Sequence, residues 1–187
     1  MKKNIVFDFD FTLTNFDSTE LALAFLKSNT FVKNKIKFRF SVNRKSKLKL
    51  IYKSIITNYN YSQLELNYFL DKIDVDTYSK LLSFIIDLDW NDSVISSVKK
   101  ALDINGYNNV YVISSGNVKL IRKLLEIKIP EIEIENIIGI FGSYSKIKGN
   151  KHLLVTAPRV IYSDNKEDLI IGKWNEINEL KIHYKKL

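Results

Sequence analysis

The sequence predicts an α/β protein, a parallel sheet core with a small α-helical segment inserted after the first strand. Three observations lead there. Short β-branched and aromatic runs, Ile5–Phe7, Asn109–Ile113 and Arg159–Tyr162, are each followed by a polar residue, and segments of helical period lie between them. The stretch from Asn29 to Ile86 breaks that alternation, because it has no glycine or proline and repeats apolar residues at helical spacing. The 187 residues, 45% of them hydrophobic, suffice for one core and a small insert. Residues 1–16 and 87–187 are therefore assigned to the core, and 17–86 to the helical insert.

Each element has a local reason. Ile5-Val6-Phe7 reads as a short buried strand. Asp17-Ser18-Thr19-Glu20 reads as a helix start, with Asp17 as N-cap and Glu20 reaching back to it, followed by Leu21, Leu23, Ala24, Phe25 and Leu26. Polar breaks at 43–47, 58–62 and 71–77 divide the insert into short helices. These carry Leu48, Ile51, Tyr52 and Ile55, then Leu64 and Tyr68, then Leu81, Leu82 and Ile85. Asn91-Asp92-Ser93 begins a helix that Gly106 ends. Asn109–Ile113 is a strand closing on Ser114-Ser115-Gly116, and a helix follows to about Glu126. Ile134–Ile140 is a weaker strand. Asn150 caps a short helix through Lys151–Val155, and Asp164–Gly172 forms a last helical segment. Strands alternating with helices imply a parallel sheet.

Composition excludes several function classes. The chain has no cysteine, so it has no disulfide, thiolate metal site or cysteine nucleophile. His152 and His183 are too few for a histidine-rich metal site, and His152 reads as a surface or cap contact. Trp90 and Trp174 read as core or boundary residues. No apolar run reaches the roughly 18 residues of a membrane span, and Met1–Asn4 leads straight into the first strand, so the expected location is cytoplasmic. The net charge of +8 is concentrated. Residues 33–53 hold Lys33, Lys35, Lys37, Arg39, Arg44, Lys45, Lys47, Lys49 and Lys53 and no acidic residue. Such a block suits a membrane surface or, with Phe31, Phe38, Phe40 and Tyr52 interleaved, a nucleic acid; it equally suits a solvated face.

Chemistry concentrates at strand ends. Residues two apart on a strand share a face, so Asp8 and Asp10 are expected to project together from the end of the first strand. Two adjacent carboxylates repel unless a cation sits with them, and Mg²⁺ prefers oxygen ligands. Ser114-Ser115-Gly116 suggests a tight phosphate-binding turn leading into a helix N-terminus. Asp164 and Asp168 follow the last strand, and Lys146, Lys148 and Lys151 precede it. Parallel strands bring such groups to one edge of a sheet.

In these motifs the sequence resembles the haloacid dehalogenase-like phosphatase superfamily. Asp8-Phe9-Asp10-Phe11-Thr12 matches its D-x-D-x-T motif, Tyr111–Ser114 its strand ending in Ser or Thr, a lysine its third motif, and Asp164–Asp168 its D-x-x-x-D. The order is the family's, over residues 4–172, and the insert position is similar to that of the phosphoserine-phosphatase-like branch with a helical cap. The resemblance implies a Rossmann-like core and a Mg²⁺-dependent phosphatase acting on a small phosphorylated substrate. It makes Asp8 the nucleophile and Asp10 the acid/base. Thr12 would orient the loop, and Ser114, Ser115 and a lysine, best matched by Lys151, would bind phosphate. Asp8, Asp10, Asp164 and Asp168 would bind Mg²⁺. Some members with an Asp after the first motif act on phosphatidylglycerophosphate, so a lipid head group is the alternative substrate. A polyanion-binding module without turnover is the alternative of another class. Phe11 departs from the small residue common at its position, and little chain is left after the fourth motif for a final strand.

Overall fold

The computed structural model describes residues 4–28, 31–33, 36–38, 43–57, 60–139 and 159–162. In chain order the elements are β1 (Asn4–Phe7), α1 (Ser18–Ser28), β2 (Phe31–Lys33), β3 (Ile36–Phe38), α2 (Arg44–Thr57), α3 (Tyr61–Leu70), α4 (Val75–Ile86), α5 (Asp92–Asn105), β4 (Val110–Ser114), α6 (Val118–Lys128), β5 (Ile137–Gly139) and β6 (Arg159–Tyr162). The fold is α/β. Among the described residues, four strands form one sheet in the order β5-β4-β1-β6, with every pairing parallel. Phe7 pairs with Val112 on one side and Tyr162 on the other. The chain adds β4 and then β5 on one side of β1 and returns to place β6 on the other. Strand order therefore reverses at β1, and ligands of open α/β sheets settle beyond the carboxyl ends at such a reversal.

Side-chain alternation along β1 divides the apolar residues between two faces. Val6 packs with Ile113 on one face, and Tyr111 and Ile138 flank them. Phe7 faces the larger cluster. There it joins Phe9, Leu26 of α1, Leu66 and Phe69 of α3, Leu81 and Ile85 of α4, Val98 and Leu102 of α5, and Leu120 and Leu124 of α6. Helices α1, α3, α4 and α5 thus share one buried core with the sheet. Trp90 sits at the point of return. It meets Phe9 edge to face at 5.7 Å, donates from Nε1 to the Ile85 carbonyl at 3.1 Å, and bridges to Thr14.

Helix ends follow capping chemistry. The side chains of Asp17, Asn60, Asp74, Asn91 and Asn117 each accept a backbone N–H of the helix that follows. Gly106 ends α5 at φ 80°, a conformation that costs glycine little. Glu20 does not reach back to Asp17. Its carboxylate accepts from Ser62 Oγ at 2.9 Å, tying α1 to α3.

Three expectations need correction. The insert is not wholly helical, because β2 and β3 form an antiparallel pair in which Phe31 faces Phe38 and Lys33 faces Ile36. β-branched and aromatic residues are dense there, and they favour strands. The break expected at 43–47 shrinks to Asn43, whose Oδ1 accepts the Ser46 N–H at 2.8 Å, so α2 begins at Arg44. The weak strand at 134–140 is a 3₁₀ turn over Ile134–Asn136, followed by a strand of only three residues, Ile137–Gly139. The helices expected at Lys151–Val155 and Asp164–Gly172 lie outside the described residues. Among the described residues, no helix is long and apolar enough to cross a membrane.

Because one core joins α1, α3 and α4 to the sheet, denaturant unfolding is expected to be a single transition. Leu81→Ala on α4 should lower that whole transition by about 2–5 kcal/mol. A separate early transition, with the sheet unaffected, would show that the insert unfolds alone.

Candidate active site

The site begins where β1 stops. The strand ends at Phe7, and Asp8 follows at the carboxyl edge of the sheet, between β4 and β6. Asp8 is buried, and its Oδ1 accepts the Phe9 N–H at 2.8 Å. The chain then turns sharply. The Phe9 carbonyl accepts the N–H groups of Thr12, Leu13 and Thr14 at 3.2, 2.9 and 3.2 Å. Closing this turn places Phe11 at φ 57°, a left-handed conformation unfavourable for a residue with a bulky side chain, and leaves its ring 46% exposed.

Asp10 therefore lies on the turn, not on a strand face shared with Asp8 as the two-residue period predicts. It is nevertheless held close to the sheet. Its Oδ1 accepts the Ser18 N–H at the start of α1 at 2.8 Å, and its Oδ2 accepts from Ser114 Oγ, at the end of β4, at 3.4 Å. Ser114 Oγ in turn accepts the Gly116 N–H at 2.9 Å. Gly116 must lack a side chain here, because a Cβ would stand 2.6 Å from Asp10 Oδ2 and 3.2 Å from Ser114 Oγ. Burial pushes the Asp10 carboxyl up from 3.8 to about 7; hydrogen bonding from Ser18 opposes the shift, and the charges of Asp17 and Asp8 add to it.

Of the residues singled out in the sequence, Asp10 and Ser114 come together through a hydrogen bond, and Asp8, just past the end of β1, lies near enough for its charge to act on Asp10. Thr12 is buried within the turn, and Ser115 is half-buried between Ser114 and Gly116. Lys151, with its alternatives Lys146 and Lys148, lies outside the described residues, as do Asp164, Asp168, His152 and Trp174. β6 ends at Tyr162, two positions before Asp164. Among the described residues, no group of three His, Cys, Asp or Glu side chains gathers as a metal site. Asp8 and Asp10 still offer oxygen donors of the kind a hard cation takes, and their mutual repulsion favours such a charge beside them.

Sequence reasoning missed Asn117. Its Oδ1 caps α6 through the Leu120 N–H at 3.1 Å. Its N–H donates to Thr19 Oγ1 at 3.2 Å, and its Nδ2 donates to Asn67 Oδ1 of α3 at 2.9 Å. One residue thus fixes the β4–α6 turn to α1 and to the insert. An Asn directly after a strand-ending Ser-Ser-Gly and before an apolar periodic run is a legible N-cap. Ser18 was legible only as a helix residue, since nothing local marks its N–H as a partner of Asp10.

No family model and no curated protein matches the chain. Among solved structures it is similar to the crystal structure of the Legionella pneumophila effector Ceg4 with an N-terminal yeast Hog1p sequence. The two share 17% identity at a TM-score of 0.50, over 100% of this chain and 88% of that one. At this identity the likeness concerns the fold alone.

The Asp10 shift gives stability a pH dependence of known sign. The folded chain holds the Asp10 proton up to about 7, whereas the unfolded chain releases it near 3.8. This contribution is therefore fully present below the unfolded value, is lost as pH rises between the two, and is level above. The slope is at most about 1.4 kcal/mol per pH unit. In EDTA, Asp10→Asn should stabilise the protein relative to wild type more at pH 8 than at pH 4, because its amide keeps the Ser18 bond without the charge. Equal differences at the two pH values in chemical denaturation would refute the shift.

Proposed function

We propose that the protein is a Mg²⁺-dependent phosphomonoesterase of the haloacid dehalogenase-like kind, acting on a small phosphorylated metabolite through an aspartyl-phosphate. The observation that carries this reading is the cluster of Asp10, Ser114 and Gly116 beside Asp8, which follows β1 at the edge where the strand order reverses. On this reading the sheet is a Rossmann-like core, and the elements between β1 and α5 are its cap. The ordered motifs at Asp8–Thr12, Ser114 and Asp164–Asp168 support it.

Asp8 is the nucleophile. A carboxylate is ionised at neutral pH, so attack on phosphorus needs no base. As the Asp8–phosphorus bond forms, the bond from phosphorus to the leaving oxygen breaks. Asp10 holds a proton near neutrality and transfers it to that oxygen. Asp10, now a carboxylate, takes a proton from water as the water attacks the acyl phosphate. Inorganic phosphate leaves and Asp8 is restored. Ser114 positions Asp10 and faces the phosphoryl oxygens, Thr12 holds the turn, and Ser115 and Lys151 complete the phosphate site. Asp8, the backbone carbonyl of Asp10, Asp164 and Asp168 would hold Mg²⁺, which would supply positive charge to the phosphoryl group. A module that only binds polyanions has no use for two converging carboxylates, which repel such a ligand.

An aryl phosphate is expected to be hydrolysed in Mg²⁺ and not in EDTA. Asp8→Asn should abolish turnover with an unchanged circular dichroism spectrum, because an amide cannot form the acyl phosphate; near-wild-type turnover by this variant would sink the mechanism.

For Asp10→Asn the expected loss in kcat is about 10²- to 10⁴-fold. The wild-type rate should fall as pH rises through the range in which Asp10 loses its proton. Stopped-flow and steady-state rates across pH test this, and a rate unaffected by the substitution would remove Asp10 from the proton transfers.

A further inference from the structure

We infer that α2 is a docking helix for an anionic lipid bilayer, a role separate from the phosphatase reading. Helical spacing of apolar residues ordinarily marks the side of a helix that faces a core. In α2 the opposite holds. Leu48, Ile51, Tyr52 and Ile55 follow one face at intervals of three and four, yet Leu48 is 62%, Tyr52 67% and Ile55 70% exposed. Ile56, beside them, is 60% exposed. The inward face is instead Ser46, Leu50 and Ser54, all half-buried, and Ser46 Oγ accepts from the phenol O–H of Tyr68 on α3 at 3.4 Å. Packing against α3 thus fixes the apolar stripe outward.

Charge identifies the occupant. Lys45, Lys47, Lys49 and Lys53 are exposed on the same helix, and between Glu20 and Glu65 the chain has no acidic residue. A partner must therefore be anionic and also offer an apolar layer within reach of Leu48, Tyr52 and Ile55. A bilayer with acidic head groups meets both conditions: the stripe enters the head-group boundary while the lysines remain at the charged surface. A nucleic acid meets the charge condition but gives aliphatic Leu48, Ile55 and Ile56 little to contact. A second copy of this chain would bring the same positive charges face to face.

The test is co-sedimentation of the full chain with phosphatidylcholine vesicles, with and without phosphatidylserine. Binding is expected only when phosphatidylserine is present, and it should weaken as salt is raised. Lys45→Gln/Lys47→Gln/Lys49→Gln should reduce it about tenfold or more. Leu48→Ser/Tyr52→Ser/Ile55→Ser should reduce it comparably while keeping the salt dependence. Neither set lies in the candidate active site, so aryl phosphate hydrolysis should be unchanged in both, and circular dichroism should show both folded. The inference is overturned by equal partitioning onto neutral and acidic vesicles, or by no partitioning. It is likewise overturned if the serine variant binds vesicles as wild type does. Tight binding of a single-stranded RNA without vesicle binding would make α2 a nucleic-acid surface. A dimer in solution that the serine variant dissociates would assign the stripe to a second copy.

Discussion

The candidate site depends on the enclosure of the Asp10 carboxylate. A buried carboxyl group is costly unless its oxygens have partners. Here one oxygen takes the Ser18 N–H of α1 and the other takes Ser114 Oγ of β4. These bonds join the turn after β1 to the first residue of the next helix and to the end of β4, which lies about a hundred residues further along the chain. Gly116 lets the β4–α6 turn close over the same carboxylate, where any larger residue would collide with it. Burial outweighs the bonds that favour the ionised form, and so leaves the group inclined to keep its proton.

The turn that delivers Asp10 carries a local cost. Three N–H groups converge on the Phe9 carbonyl, and Phe11 takes up a left-handed conformation that disfavours a non-glycine residue by about 1–2 kcal/mol. Burial of its neighbours offsets this. Phe9 is wholly buried against Trp90, Leu13 is wholly buried, and Thr14 Oγ1 donates to the Phe16 carbonyl at 2.8 Å. The strained residue thus stands between two anchored ones, with its ring directed away from the core.

Much of this was legible in the sequence because it rests on short-range chemistry. The Ile5–Phe7 run, the Asp17 and Asn91 caps and the Gly106 stop each declare themselves within a few residues. The strand at Val110–Ser114 does so too, and Ser114 arrives beside Asp10 because parallel strands align their ends. The failures have one physical source, which is that periodicity does not encode a partner. Two-residue spacing put Asp8 and Asp10 on one strand face, but the strand stops at Phe7, and the Phe9 carbonyl captures the next residues into a turn. Phe31–Phe38 was absorbed into a helical reading because the absence of glycine and proline says nothing about strand pairing. The Asp10–Ser18 contact was invisible, since it involves a backbone N–H that any residue could supply.

The inserted helices show the same limit in a more telling way. α4 and α2 both carry apolar residues at helical spacing, and from sequence they are alike. In α4 the stripe is Leu81 and Ile85, buried in the cluster that contains Phe7 and Leu120, so this helix is part of the core. In α2 the equivalent stripe faces outward, the half-buried side is two serines and Leu50, and Ser46 meets Tyr68 of α3. The charge pattern separates the two helices where periodicity does not. α4 begins with Asp74 and Asp76 and pairs Asp76 with Lys80, whereas α2 holds its lysines in a stretch without carboxylates. A helix whose apolar side were meant for its own core would gain nothing from unbalanced lysines bordering that side. Lysines beside an outward apolar stripe make sense when the surface to be met is itself negative and has a hydrocarbon layer beneath.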